Sequence, residues 1–170
     1  VKAQYMPVVF DKVYGDKNQI QLVCPLPGDE VALVGKEGQK YNLTWVEREG
    51  GVIFSLPLTG FTAVNEIVEL DNSRVLVVGQ SSVPNVKGKK DKITLCGRIV
   101  VINRGGRIVS DIYAGDQGSN FLKGMLLRSG AFVVSGSEPK GADGRQGILL
   151  KLDPTGSVVY QYKNAGGGYC

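Results

Sequence analysis

Ser137-Glu-Pro-Lys140 has the Ser-x-x-Lys spacing that serine acyl-transfer enzymes use when a helix sets the lysine amine beside the serine hydroxyl. Pro139 between the two, and a position just after Gly136, oppose such a helix, so the segment reads as a turn. Val86-Lys-Gly-Lys-Lys-Asp-Lys92 places Lys87, Lys89, Lys90 and Lys92 within six residues. Such a run can hold phosphate or an acidic protein surface. No aromatic residue is interleaved for base stacking, so nucleic acid is not an expected partner, and a solvated loop is the simpler role. Trp45 and Tyr41 could stack on a sugar ring, with a strand aromatic in the core as the competing reading. Gly141-Ala-Asp-Gly-Arg-Gln-Gly147 offers one carboxylate where calcium needs six to eight oxygens, and it too reads as a turn.

Histidine is absent from all 170 residues. That removes Ser-His-Asp and Cys-His nucleophiles, imidazole acid–base work and histidine-based zinc sites. Carboxylate pairs, lysine-activated serines and bound cofactors survive as chemistries, but no set of residues supports any of them, and neither a cofactor nor a metal is expected. Cys24, Cys96 and Cys170 are odd in number and widely spaced, with no Cys-x-x-Cys. Cys24 occupies the repeat position of Val68 and Met125, which predicts a small core hydrophobe. A Cys24–Cys96 disulfide stays open as an alternative, and Cys170 carries no assigned role. Ala3-Gln4 has the form of a signal-peptidase cut, and Asn42-Leu-Thr44 is a glycosylation sequon for a eukaryotic secretory chain. Export to the periplasm, cell surface or medium is the expected location. The apolar runs, four to six residues long, are too short to span a membrane.

Whatever this chain does, its residues are positioned by a threefold phrase. Framework glycines Gly35, Gly79 and Gly136 each close a run of small and β-branched residues. Gly50, Gly106 and Gly156 sit in polar turns between apolar runs, and Gly60, Gly115 and Gly166 follow the last run of each unit. Repeats of roughly 40–50 residues with about four strands each are the signature of β-propeller blades. The phrase predicts an all-β fold without long helices, with blades over 15–58, 60–113 and 115–162. Residues 5–14 are expected to be the closing strand of a preceding blade. The most buried strands should be Val31–Val34, Val75–Val78 and Ala131–Val134. From framework glycine to turn glycine the spacing is 15, 27 and 20 residues (35 to 50, 79 to 106, 136 to 156). Repeat proteins collect such variation on one face, commonly the binding one. Lys36–Asn42, Gln80–Asp91 and Ser137–Gly147 are therefore expected to be the binding loops.

The third unit, Gln146-Gly-Ile-Leu-Leu-Lys-Leu-Asp-Pro-Thr-Gly-Ser-Val-Val-Tyr160 followed by Gly166-Gly167, resembles secreted bacterial β-propeller repeats of the Lys-Leu-Asp-Pro-x-Gly type. Val100-Val-Ile-Asn-Arg-Gly-Gly106 is a looser match, and Glu47-Arg-Glu-Gly50 departs from the turn pattern. The resemblance implies a fold far more than an activity, because such propellers serve as scaffolds, adhesins and ligand-binding modules. The expected function is a non-catalytic scaffold or protein-interaction module of an exported assembly. Its partners would be additional blades, from the same or another chain, that complete the ring. The alternative is a carbohydrate-binding propeller using Trp45, Tyr41 and the variable loops.

Overall fold

Short aliphatic and β-branched runs cut by glycine turns suit extended strands, and strands are what this chain forms. A computed structural model describes residues 19–71, 73–83, 94–141 and 144–164. Within them, β1 (Gln19–Leu26), β2 (Glu30–Glu37), β3 (Lys40–Val46) and β4 (Val52–Pro57) form one antiparallel sheet in chain order. A second sheet holds β5 (Phe61–Asp71), β6 (Arg74–Val83), β7 (Thr94–Asn103) and β8 (Ile108–Ala114). A third holds β9 (Asn120–Leu126), β10 (Phe132–Lys140), β11 (Gly144–Leu152) and β12 (Val158–Lys163). The only helical element among the described residues is a three-residue 3-10 turn, Pro27–Asp29. The fold is all-β, three four-stranded blades of the propeller kind. The expected strand over 5–14 lies outside the described residues.

Two turn devices recur. Glu47, Asn103, Leu127 and Asp153 each pair their backbone N–H with the carbonyl four residues on, and each accepts through its own carbonyl from the glycine three residues on. At Asp153 the side chain completes the turn: its Oδ1 accepts from the N–H groups of Thr155 and Ser157, both at 2.9 Å. Gly156 sits there at φ 93°, a left-handed conformation that L residues resist. The framework glycines have a different cause. A Cβ on Gly79 would lie 2.0 Å from the Ala63 carbonyl oxygen, and one on Gly136 would lie 2.1 Å from that of Asn120. The first strand of the second and third blades bulges into this space, so no side chain fits there.

Register assigns each side chain to a face. Residues one and three before the framework glycine point to the following blade, which we call the forward face; those two and four before it point to the preceding blade, the rear face. On the forward face of the first blade Cys24, Ala32, Trp45 and Phe54 lie in one cross-strand row, with Leu22, Val34, Leu43 and Leu56 in the next. They pack on the rear face of the second blade, where Ile67, Val75, Val77, Val100 and Ile102 complete the first hydrophobic cluster. The forward face of the second blade (Leu76, Val78, Ile99, Val101) packs on Phe132, Val134, Leu150 and Leu152 of the third to give the other cluster. The core thus lies at two junctions, and the described blades form an open arc.

Several expectations need correction. The segments Lys36–Asn42 and Ser137–Gly147 are not loops. β2 and β3 run to Glu37 and from Lys40, and β10 and β11 run to Lys140 and from Gly144, so each is a long hairpin with a short tip. Of Gln80–Asp91, residues up to Val83 belong to β6 and the rest lie outside the described residues. β1 continues through Leu26, so only Pro27–Asp29 separates it from β2. Val75–Val78 is buried throughout, as expected, but Val31 and Val133 are only half-buried.

Candidate interaction surface

Trp45 is fully buried in β3, and its Nε1–H donates to Glu30 Oε2 at 2.7 Å. Arg104, from the β7–β8 turn of the second blade, grips the same carboxylate, with Nη2 2.5 Å from Oε1. Hydrogen bonds from Arg104 hold Glu30 below the usual carboxylate range against partial burial, and Trp45 adds to the effect. Tyr41 is buried as well, with Lys36 Nζ 5.1 Å from its ring centroid. It borders a rim groove of about 470 Å³ with Glu37, Lys40, Pro57 and Gly60, but shows almost none of its ring there. The two aromatics assigned to sugar stacking are therefore core residues at the first junction. Each comes from a strand whose apolar phase faces the next blade.

Lys87, Lys89, Lys90 and Lys92 lie outside the described residues. Ser137 and Lys140 both lie in β10, three residues apart, which places them on opposite faces of a strand, and the Ser137 hydroxyl accepts from Arg145 Nε at 3.0 Å. Cys24 and Cys96 are free thiols, which rules out the disulfide between them, and burial raises both above the ordinary thiol range. The register confirms that Cys24, Val68 and Met125 are equivalent, opposite Ala32, Leu76 and Val133.

On the rim where the blades connect, several described polar side chains hold the chain. Arg98 forms a two-point ion pair with Asp111, Nε–Oδ1 and Nη2–Oδ2 both at 2.8 Å. Its guanidinium lies over the rings of Phe61 and Tyr113 at 4.7 and 5.1 Å. In the second and third blades the residue two after the framework glycine clamps the incoming connection: Ser81 Oγ donates to the Gly60 carbonyl at 2.6 Å, and Glu138 Oε2 accepts from the Asp116 N–H at 3.2 Å. Glu138 is completely buried, 2.7 Å from Lys163 Nζ and 2.8 Å from Gln146 Nε2. Glu138, and after it Asp116, keep the Lys163 ammonium above its ordinary range.

What remains open is the forward face of the third blade. Met125, Val133, Lys151 and Tyr160 form one cross-strand row, and Lys123, Ser135, Leu149 and Tyr162 the next. Met125, Tyr160 and Tyr162 are 57%, 54% and 51% exposed, although their equivalents in the first blade, Cys24, Phe54 and Leu56, belong to the core. Sequence reasoning did not single out this surface. Its signal was the alternation in Val158-Val-Tyr-Gln-Tyr162, which puts two tyrosines on one side of an edge strand.

No family model matches the chain, and no curated protein does. The surface is therefore read from its own chemistry. It is a partly apolar sheet face bordered by two lysines, with the geometry of a blade junction. No helix among the described residues is long and apolar enough to cross a membrane.

Proposed function

We propose that this chain is a non-catalytic β-propeller scaffold, an interaction module that works by packing its open blade face against a further blade-type sheet. The setting is an exported bacterial assembly, as the resemblance of its third repeat implies. The observation that carries the reading is the forward face of the third blade. At the two junctions inside the chain the same register positions are covered by the next sheet, and here they hold large exposed side chains. Contiguous apolar surface of this kind marks an interaction site. The absence of histidine from the sequence and the use of the buried polar side chains as clamps on the connections both favour a structural role over a catalytic one. A carbohydrate-binding reading loses its carriers, because Trp45 and Tyr41 are buried.

An environment-sensitive apolar dye tests this. At concentrations where the chain is monomeric it should bind, and Met125→Lys combined with Tyr162→Lys should remove most of the signal. A folded monomer that takes up no dye contradicts the reading.

A further inference from the structure

The connections between blades differ in length, and the shorter one leaves a gap. Residues 115–119 join β8 to β9, whereas only residues 58–60 join β4 to β5. The longer connection lies along the start of β7, where the Gly118 N–H donates to the Leu95 carbonyl at 2.6 Å. Gln39 holds the place of Leu95 in the first blade. Asn42 and Arg98 face the framework glycines Gly35 and Gly79, and Gln39 and Leu95 each lie three residues before them. Among the described residues no backbone N–H reaches the Gln39 carbonyl. β4 stops at Pro57, and the Leu58 N–H bonds the Tyr41 carbonyl at 2.8 Å before the chain turns away. The uncovered tip of β3 opens onto the rim groove of about 470 Å³.

The polar groups of this groove have no partner in the protein. Glu37, Gln39, Lys40, Asn42 and Thr59 line it, and none of their side chains makes a hydrogen bond or ion pair among the described residues. Elsewhere on the rim Ser81, Arg98, Glu138 and Lys163 are all engaged. Tyr41, which also lines the groove, is 5% exposed, yet its hydroxyl has no hydrogen-bond partner among the described residues. A buried tyrosine hydroxyl ordinarily finds one, so a molecule in the groove is the source that fits.

We propose that the groove binds an extended peptide segment of another protein, which runs beside the tip of β3 and donates a backbone N–H to the Gln39 carbonyl, as Gly118 donates to Leu95. This site is separate from the open face of the third blade and does not depend on it. A peptide backbone alternates donors and acceptors. The amides of Gln39 and Asn42 and the hydroxyls of Tyr41 and Thr59 can each do both. An anionic group would call for donors alone, and the Glu37 carboxylate stands among these side chains. A sugar ring needs an aromatic face to stack on, and the rings of Tyr41 and Phe61 are buried. Leu58 and Phe61 give the groove an apolar floor that suits one small aliphatic side chain. Glu37 and Lys40, directly opposite each other across the hairpin, offer one charge of each sign to the flanking residues.

The probe is a phage-displayed library of random linear peptides of about seven residues, long enough to span the groove when extended. It is selected against the 170-residue chain, and the enriched sequences are made as free peptides for fluorescence polarisation. Thr59→Trp, which fills the groove from an exposed position, should weaken their binding about tenfold or more. Tyr41→Phe, which keeps the ring and removes only the hydroxyl, should weaken it about threefold or more. Circular dichroism checks that both variants keep their sheets. Met125→Lys combined with Tyr162→Lys should leave the affinity unchanged, so the peptide site and the third-blade face fail or stand separately. The proposal is overturned if no peptide is enriched over the Thr59→Trp chain, or if either groove variant binds as tightly as wild type. Peptides lost with the third-blade variant overturn it as well. Glycans on an array that bind wild type but not Thr59→Trp, with no peptide enriched, would give the groove to sugars instead.

Discussion

Two ion pairs, Arg104–Glu30 and Lys123–Glu66, link neighbouring blades. Glu30 takes a hydrogen bond from Trp45 of its own blade and an ion pair from Arg104 of the next, which holds the carboxyl below its ordinary range. A lowered folded value means that folding favours the ionised form. The contribution is complete above the unfolded pKa of about 4.3 and is lost as pH falls through the lower folded value. The stability gap between wild type and Glu30→Gln, read from urea midpoints, should be constant near neutrality and shrink in acid. A gap that does not change with pH would show that the ion pair contributes nothing to linkage. Within the third blade Lys163 lies 2.7 Å from the fully buried Glu138. Lys163→Met strips a charged partner from that carboxylate and should cost roughly 1–3 kcal/mol. Adding Glu138→Gln should recover most of the loss, because Gln146 and the Asp116 N–H remain nearby to pair with an amide. If the double variant is no better than the single, Glu138 is not the group that suffers.

At the scale of strands and turns the framework glycines are the positions least open to change. Gly136→Ala would drive a Cβ to 2.1 Å from the Asn120 carbonyl oxygen, so β9 must move or the pairing must slip. The expected cost in a thermal or urea melt is about 1–3 kcal/mol, as for overpacked cores. Gly147→Ala is the control. It lies in a strand of the same sheet, its Cβ would have only Asn164 at 3.9 Å, and its effect should stay within about 0.5 kcal/mol. A tolerated Gly136→Ala would mean that the bulge at β9 relaxes freely. These same glycines made the blade architecture legible in the sequence, because close backbone approach recurs at one place per repeat and leaves a periodic mark. The strands beside them were legible through apolar runs such as Val75–Val78. Strand length was not. Ser137–Gly147 reads as loop by its glycine, lysine and proline content, yet β10 and β11 extend through most of it, since backbone pairing and polar clamps such as Glu138 hold this ladder without apolar alternation. The open surface was harder still. Tyr160 and Tyr162 look the same in sequence whether a neighbouring sheet covers them or not, and Trp45 drew attention as a lone aromatic although its strand phase points into the first junction.

Among the described residues, the middle blade is the one with a described blade packed on each of its faces. Its β6 places Val75, Leu76, Val77 and Val78 at no measurable exposure, alternately in the first and second clusters. β12 at the far edge of the third sheet is exposed over all but its last residue, Lys163. In a repeat array each blade is stabilised by its own ladder plus the junctions it shares, so a blade with two junctions should open last and one with a single junction sooner. Hydrogen exchange reads this directly, because an amide exchanges at the free energy of the smallest opening that frees it. Among ladder-bonded amides, those of Val75–Val78 and Ile99–Ile102 should exchange most slowly, near the rate set by global unfolding. Those of β12 should be faster by roughly a hundredfold in dilute, monomeric chain. Uniform protection across the three sheets in the monomer would mean that the junctions couple them into one cooperative unit. The stacked, blade-by-blade account of stability would then have to be abandoned.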